Sequence, residues 1–261
     1  MQLNETRAEA LDYMPCQYGR SKLEFRGPKR DIPSDFVLFI GGTETFGKFV
    51  ARPYPALFED LTGQTSINLA ACNAGLDSFR QDATVIAMAR RAQLVVIQAM
   101  GPQFLSNRFY SVHPRRNDRF VKATLSLRRA YPTIDFSEIA FVGHLLSQLE
   151  TTSHQHFQQV VQEFQHTWIQ HMQTFLELVS RPCVVLWIDR PETETLQFLD
   201  RRLLAQATVG RAPVLTVPAS TPAHSSKGGG LVFEPSQSQA AALAIPPNLH
   251  NRIAQDLVMF T

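Results

Sequence analysis

The amino-acid sequence predicts an α/β protein in which a five-stranded, mostly parallel sheet is covered by helices on both faces. The first observation is a set of five short, nearly continuous apolar runs, which is typical of strands buried on both faces. The second is that helical patterns fill most of the intervals between these runs, and such alternation forms parallel sheets. The five predicted strands are 36–40, 66–71, 94–100, 184–188 and 213–217.

Apolar residues at three- and four-residue spacing predict the helices. In the stretch from Asp118 to Ala130, for example, Phe120, Ala123 and Leu127 recur at this spacing. The predicted helices are 54–61, 79–91, 118–130, 136–150, 154–180, 192–206 and 249–260.

The long interval between the third and fourth strands is predicted to be a helical insertion, at about 118–180. It would form a cap beside the sheet or an interface with a second copy. The helix beginning at His154 carries an apolar stripe that includes Phe157, Phe164 and Trp168. This stripe indicates a homodimer through the insertion as one alternative.

Two further segments complete the predicted organisation. Residues 1–35 contain scattered prolines and glycines and are predicted to be an irregular lead-in on the domain surface, followed by a single domain over 36–261. The sequence SSKGGG at 225–230 has the composition of a flexible loop.

Composition limits the function classes. Apolar residues make up 44% and charged residues 18% of the chain, which is typical of a globular protein with a core. Because 25 basic residues stand against 23 acidic ones, the overall charge gives no reason to expect nucleic acid as a partner. The three cysteines are widely spaced and form no CxxC motif, so neither a disulfide framework nor a metal site is expected.

No cofactor and no membrane are expected either. The sequence contains neither a GxxxxGK[ST] loop nor a GxGxxG fingerprint, so nucleotide binding has no motif in its favour. No apolar run approaches the roughly 20 residues of a membrane span, and the N-terminus has no signal-peptide pattern. A cytoplasmic location is therefore the expectation.

Ligands of open α/β sheets bind at the carboxyl ends of the strands, so the residues after each strand are the first candidates for a site. The first strand is followed by Gly42, Thr43, Glu44 and Thr45. Thr43 has three alternative roles, which are a nucleophile, a hydroxyl that binds a ligand, and the N-cap of the next helix.

The order of such blocks resembles that of the SGNH (GDSL-type) hydrolases, a family with a flavodoxin-like sheet. Gly41–Gly42–Thr43 stands where that family has Gly-Asp-Ser, and Asn73–Ala74–Gly75 resembles its second block. Asn107, or with less support Gln103, would be the amide of the third block, and His250 stands where the family has its histidine.

The resemblance implies an esterase or acyltransferase that acts on an acylated, anionic small molecule or glycan unit. Thr43 would attack, His250 would be the base, and the Gly75 N–H and Asn107 would bind the oxyanion. The predicted catalytic residues are therefore Thr43, His250, Gly75 and Asn107.

The sequence departs from this family at three positions. Thr43 replaces the serine, Gly42 replaces the aspartate, and Pro247 lies where an acid should precede His250 by three residues. The methyl group of a threonine crowds its attack. The group that orients His250 remains open among Asp189, Asp77, Glu44 and a backbone carbonyl.

A second resemblance covers most of the chain. The stretches LDYMPCQYGRSKLEFRGP, FIGGTETFGKFV, NAGLDSF and LSNRFYSVHPRRNDRF resemble a bacterial family that has no assigned function. This resemblance implies no chemistry.

The segment 107–119 concentrates arginines after the third strand and gives an alternative function. Arginine forks match carboxylate, phosphate or sulfate, so a catalytically degenerate or transferase-type relative could bind an anionic ligand here. Arg–Asp pairs within the loop, with Asp118 capping the following helix, are the structural alternative. The predicted substrate-binding residues are Gly42, Glu44, Thr45, Asn73, Arg108, Tyr110, His113, Arg115 and Arg116.

Overall fold

The computed structural model describes residues 11–190, 198–219 and 230–261. The part of the predicted helix at 192–197 and the glycine-rich loop at 225–229 lie outside these ranges. The strands of the described residues are β1 Val37–Ile40, β2 Ser66–Asn68, β3 Leu94–Gln98, β4 Tyr110–His113, β5 Arg116–Ala123, β6 Cys183–Asp189 and β7 Val214–Pro218.

Five of these strands form one parallel sheet in the order β2-β1-β3-β6-β7. This is the flavodoxin-like order, in which the chain moves to one edge and then reverses toward the other. The structure therefore confirms the predicted five-stranded α/β fold. The reversal lies between β1 and β3, where the crevice at the strand ends is the usual ligand site.

Helices cover both faces of the sheet. The α-helices of the described residues are α1 Thr43–Phe46, α2 Tyr54–Thr62, α3 Leu76–Arg80, α4 Ala83–Ala89, α5 Leu125–Ala130, α6 Val142–Thr152, α7 His154–Val179, α8 Arg201–Thr208, α9 Ser238–Ala242 and α10 Pro247–Leu257. Apolar residues of α2 and α10 pack on one face of the sheet, and those of α3, α4, α7 and α8 pack on the other. Short 3₁₀ helices occupy Pro102–Phe104, Phe136–Glu138, Pro235–Gln237 and Val258–Phe260.

The predicted helix at 118–130 is wrong in its first half. Residues Arg116–Ala123 form β5, which pairs in antiparallel fashion with β4, and the helix begins only at Leu125. Phe120 and Ala123, which fit the helical spacing in the sequence, are buried in the cluster that the hairpin forms with the neighbouring helices. The Thr124 hydroxyl accepts the Leu127 N–H and starts α5.

Two other predicted helices are divided. The segment 79–91 contains the end of α3 and then α4, because the Asp82 side chain accepts the backbone N–H groups of Thr84 and Val85 and starts a new helix. The segment 136–150 begins with the 3₁₀ helix Phe136–Glu138, and α6 starts at Val142. The insertion is therefore a β-hairpin followed by helices.

Helix α7 joins two hydrophobic clusters. Its first half contributes Phe157, Val160 and Phe164 to a cluster with the hairpin, α5 and α6. Its second half contributes Trp168 and Phe175 to the cluster beneath the sheet. The apolar stripe of this helix is thus covered within the chain, so a homodimer would need a different face.

The described part of the N-terminal segment packs against the domain. Tyr18, Leu23 and Phe25 are buried in the cluster beneath the sheet. The Arg26 guanidinium donates hydrogen bonds to four carbonyl oxygens in the turn after α1, those of Phe46, Gly47, Val50 and Ala51. This segment therefore stabilises the turn that follows Thr43.

Candidate functional site

A cleft of about 410 Å³ opens at the carboxyl ends of β1, β2, β3 and β6. The polar residues that line it are Thr43, Glu44, Lys48, Asn73, Gln98, Gln103, Asp118, Arg190 and His250. The apolar residues that line it include Met100, Phe104, Trp187, Phe198 and Leu243. The cleft lies at the point where the strand order reverses, as expected for this fold.

Gln98, the last residue of β3, holds the first turn after β1 in place. Its side-chain oxygen accepts the Gly42 N–H at 3.0 Å and the Thr45 hydroxyl at 2.6 Å. Its amide nitrogen donates to Glu44 at 2.8 Å. A Cβ atom on Gly41 would lie only 2.0 Å from the Thr45 Oγ1 atom, so the close approach of this turn to Gln98 requires a glycine.

Gln98 was not among the residues identified from the sequence. The available signal was its position as a polar residue that ends an otherwise apolar run. Because both ends of its amide have partners inside the protein, Gln98 positions α1 and orients the neighbouring Glu44 carboxylate.

Thr43 brings its hydroxyl to the cleft. The Oγ1 atom accepts the Asn73 backbone N–H at 3.1 Å and lies 3.5 Å from Asn73 Oδ1. Asn73 has φ = 59°, a left-handed conformation that asparagine adopts more readily than most residues. Thr43 is the first residue of α1, and the N-cap position belongs to Gly42, so the N-cap alternative for Thr43 is wrong.

The two residues after Thr43 differ in orientation. The Glu44 carboxylate lines the cleft and also accepts a hydrogen bond from Arg190 at 3.1 Å. The side chain of Thr45 is fully buried, and its hydroxyl contacts the Tyr54 hydroxyl at 2.7 Å. Thr45 does not line the cleft, so the structure places it behind the predicted binding surface.

His250 lines the cleft but is only 1% exposed. Its Nδ1 atom accepts the backbone N–H of Tyr54 at 3.1 Å, and its ring stacks on the Tyr54 ring. Burial, reinforced by the positive charge of Arg26, lowers the pKa of His250 to about 3. The ring is therefore neutral at physiological pH.

The hydrogen bond to Nδ1 determines which tautomer His250 adopts. A neutral imidazole whose Nδ1 accepts a hydrogen bond carries its proton on Nε2. His250 can therefore offer a ligand an N–H donor, and this arrangement does not suit a general base. The partner of Nδ1 is a backbone N–H, which was not among the orienting groups considered from the sequence. Asp77, one of those groups, instead contacts His171 and Arg80.

Gly75 and Asn107 lie outside the residues that line the cleft. The Gly75 N–H donates to the side-chain oxygen of Asn117. The Asn107 side chain accepts the N–H groups of Phe109 and Tyr110 and stabilises the turn into β4. In the present arrangement both have partners within the protein. Gln103, the weaker candidate for the third-block amide, does line the cleft.

The arginine-rich segment 107–119 leads into and forms part of the β4–β5 hairpin. Its arginines, which were predicted to bind an anion, contact other residues of the protein. Arg108 pairs with Glu163, Arg115 donates to the Lys22 carbonyl, and Arg116 lies 3.4 Å from Asp118. None of these three arginines is among the described residues that line the cleft.

The other predicted residues of the segment are engaged within the hairpin region. The Tyr110 hydroxyl is buried and donates to the Gln103 carbonyl oxygen. His113 Nδ1 accepts the backbone N–H groups of Arg115 and Arg116. Asp118 lies in β5, so its predicted role as a helix cap is wrong, and it contributes to the cleft wall instead.

The described residues offer no group of three or more His, Cys, Asp or Glu side chains that could hold a metal ion. Within the same residues, no helix has the length and apolar character needed to cross a membrane.

The fold and the cleft define an α/β protein with a candidate ligand site at the reversal point of a flavodoxin-like sheet. Across residues 1–261 the chain belongs to the family described as Domain of unknown function (DUF6473). No curated protein matches the sequence.

Two solved structures show distant similarity. A protein from Lactobacillus plantarum, solved as a structural genomics target, has 12% identity and a TM-score of 0.43, with 88% of this chain and 97% of that chain covered. The lipase Lip_vut3 from a goat rumen metagenome has 8% identity and a TM-score of 0.41, with 87% of this chain and 97% of that chain covered. At these values neither likeness bears on function, and the fold assignment rests on the strand order itself.

Proposed function

We propose that the cleft binds an acylated small molecule. The acyl chain would lie along the apolar lining residues, and its carbonyl group would lie beside Thr43 and His250. The observation that carries this proposal is that apolar side chains and a few polar side chains line one cleft at the carboxyl ends of the strands. Small-molecule sites commonly combine a mostly apolar lining with a few polar groups, in cavities of roughly 300–1,000 Å³.

The polar groups suit a carbonyl compound. The Nε2–H of the neutral His250 is a donor for a carbonyl oxygen. The Thr43 hydroxyl accepts the Asn73 N–H and donates to Asn73 Oδ1 at a long 3.5 Å, so a ligand acceptor could replace this second partner. Met100, Trp187 and Leu243 supply apolar surface in the same cleft.

A second candidate function is acyl hydrolysis or acyl transfer with Thr43 as the nucleophile. The position of its hydroxyl in the cleft, directly after β1, favours this candidate. A hydroxyl nucleophile needs a base, and His250 is poorly suited because Nδ1 accepts the Tyr54 N–H and Nε2 carries the proton. Turnover through Thr43 is therefore expected to be slow with simple esters.

Binding of N-ethyloctanamide, measured by calorimetry against N-ethylacetamide, tests the primary proposal. The octanoyl compound should bind at least about tenfold more tightly, because each buried methylene contributes about 0.8 kcal/mol. Leu243→Asp replaces a half-exposed apolar side chain of the cleft lining with a charge and should remove most of this preference. Equal binding of the two amides would reject the proposal.

The catalytic candidate is tested with p-nitrophenyl octanoate. Thr43→Ala should abolish any turnover, whereas Thr43→Ser should retain or increase it because the hydroxyl remains and the crowding methyl is removed. Thr152→Ala, on the exposed surface of α6, is the matched control. Unchanged turnover in Thr43→Ala would exclude Thr43 as the nucleophile.

A further inference from the structure

The turn after β2 is held between the cleft and the β4–β5 hairpin. Asn73, whose backbone is left-handed at φ = 59°, uses both of its backbone groups in this turn. Its N–H donates to the Thr43 hydroxyl at 3.1 Å, and its carbonyl oxygen accepts the Asn117 backbone N–H at 2.9 Å. Asn73 therefore connects a residue of the cleft to a residue of β5.

Asn117 is fixed by its own side chain. It is only 1% exposed, and both ends of its amide have partners inside the protein. The Oδ1 atom accepts the Gly75 N–H and lies 2.7 Å from the Ser78 hydroxyl, and Nδ2 donates to the His113 carbonyl oxygen at 3.0 Å. Because a buried polar group left without a partner is costly, these hydrogen bonds hold the start of β5 against the start of α3.

The fit between these two segments is close. A Cβ atom built on Gly75 would lie 2.9 Å from Asn117 Oδ1 and 2.9 Å from the Phe104 carbonyl oxygen. There is thus no room for a side chain at Gly75, and a change at either side of the contact would displace the other.

Asn117 can influence the cleft through the Asn73 turn. Asn73 and Thr43 line the cleft, whereas Asn117 lies behind it. A left-handed backbone at a residue other than glycine persists when its surroundings hold it, and hydrogen bonds hold Asn73 on both sides. Because Thr43 Oγ1 accepts the Asn73 N–H, the proton of this hydroxyl is directed away from that N–H. The position of Asn73 therefore determines how the Thr43 hydroxyl is oriented.

We propose that Asn117 is a positioning residue, which holds the Asn73 turn and thereby orients the Thr43 hydroxyl as a hydrogen-bond donor to the carbonyl oxygen of the ligand. The inference rests on the proposed binding of an acylated molecule and makes the hairpin a part of that site. This role differs from the anion recognition predicted for the same segment, because it acts through hydrogen bonds behind the cleft.

A double-mutant cycle with two measurements tests this role. Thr43→Val removes the hydroxyl and keeps the shape of the side chain, and Asn117→Ala removes the positioning amide. In the natural background, Thr43→Val should move the amide-proton resonance of Asn73 in NMR spectra of the ligand-free protein. It should also weaken binding of N-ethyloctanamide by about three- to tenfold, the size of a neutral hydrogen bond. In Asn117→Ala, the same substitution should barely move the resonance and should change the affinity by less than about twofold.

Three further variants separate positioning from a general loss of stability. Asn117→Asp keeps an oxygen for the Gly75 N–H and should restore both effects of Thr43→Val. Gly75→Ala presses on Asn117 without removing it and should act like Asn117→Ala. Thr124→Ala removes a hydrogen bond to the Arg108 carbonyl oxygen at the other end of the hairpin, so it should lower stability and leave both effects unchanged.

The outcomes distinguish the positioning role from the proposed function. If Thr43→Val and Asn117→Ala act additively on the Asn73 resonance, or if Thr43→Val weakens binding equally in both backgrounds, the positioning role is wrong and acyl binding stands. If N-ethyloctanamide does not bind the natural protein, acyl binding is wrong. The Asn73 resonance then decides by itself, because additive shifts reject the positioning of Thr43 by Asn117 and coupled shifts support it.

Discussion

The surroundings of His250 determine its chemistry. The ring is enclosed against Tyr54, and Nδ1 accepts a backbone N–H that does not depend on the identity of any side chain. Protonation of the ring would put a proton on Nδ1, directly facing the Tyr54 N–H. It would also create a buried positive charge near Arg26. Both effects favour the neutral form, in agreement with a pKa lowered to about 3.

This lowered pKa predicts a pH dependence of stability. Between about pH 6.5 and pH 3 the unfolded chain binds a proton at this histidine while the folded protein does not. The free energy of unfolding should therefore fall as the pH falls through this window, by up to about 1.4 kcal/mol per pH unit from this residue. His250→Gln keeps a side-chain acceptor for the Tyr54 N–H and should lose less stability on acidification.

Urea unfolding at pH 7.5 and pH 4.5 measures this difference. His154→Gln, at an exposed position, is the matched control and should behave like the natural protein. If the natural protein and His250→Gln lose stability equally, the ring is not held neutral in the folded state.

At the scale of the elements, a partly buried cluster of Asp77, Arg80 and His171 connects α3 to α7. Asp77 Oδ1 lies 2.9 Å from His171 Nδ1 and 3.0 Å from Arg80 Nε. Burial by itself would raise the pKa of Asp77, but the hydrogen bonds and charges of His171 and Arg80 outweigh burial and hold its pKa below the usual value. The ionised carboxylate therefore stabilises the contact between the two helices.

We expect Asp77→Asn to lower the free energy of unfolding at pH 7 by about 1–3 kcal/mol, because it weakens hydrogen bonds to charged groups. A lowered carboxyl pKa contributes stability that is present above the unfolded pKa, near 3.9, and is lost as the pH falls through the folded pKa. The difference in the free energy of unfolding between Asp77→Asn and the natural protein should therefore become smaller below about pH 4.

Urea unfolding at pH 7 and pH 3 measures the difference in the free energy of unfolding between Asp77→Asn and the natural protein at each pH. Asp60→Asn, which disrupts an exposed pair with Arg52, should change stability by less than about 1 kcal/mol and serves as the control. A gap of the same size at both pH values would contradict the assigned role of Asp77.

Element types were predictable where the local pattern is strong, as in the five strands and α7. The hairpin was not, because Phe120, Ala123 and Leu127 fit a helical spacing. Pairing of β5 with β4 and burial against α6 compete with that local preference, and they involve residues outside the segment. Long-range strand pairing of this kind overrides the local helical pattern of the segment.

At the scale of the whole molecule, α7 connects the insertion to the sheet. Its two halves lie in two different hydrophobic clusters. The Trp168 indole also donates to the Met100 carbonyl at 2.8 Å, next to the cleft. Packing of the insertion and the shape of the cleft are thus connected.

We expect Phe164→Ala in the insertion cluster and Phe175→Ala in the sheet cluster each to lower stability by about 3–5 kcal/mol. Because one helix spans both clusters, each variant should still unfold in one transition that tryptophan fluorescence and circular dichroism report together. Phe141→Ala, at a half-exposed position, is the control and should have a small effect. A separate early transition in Phe164→Ala would show that the insertion unfolds independently.

The sequence by itself determined the five strands of the sheet, the long helix α7 and the region in which the cleft lies. Alternation of apolar runs and helical patterns is a local property, and the carboxyl end of a parallel strand is a ligand site in any such fold. The placement of Gly42, Thr43, Glu44 and Asn73 along the cleft follows from these two facts.

Only the tertiary structure decided which side chains meet in that region. Tyr54 and His250 are 196 residues apart in the chain, and their hydrogen bond changes the histidine from an expected base into a donor. Gln98 and Asp118 line the cleft in the structure. Arg108 and Arg116 instead contact Glu163 and Asp118, respectively, and do not line it. Hydrogen bonds and burial act between segments that only folding brings together, so the chemistry of the cleft could not be read from its local motifs.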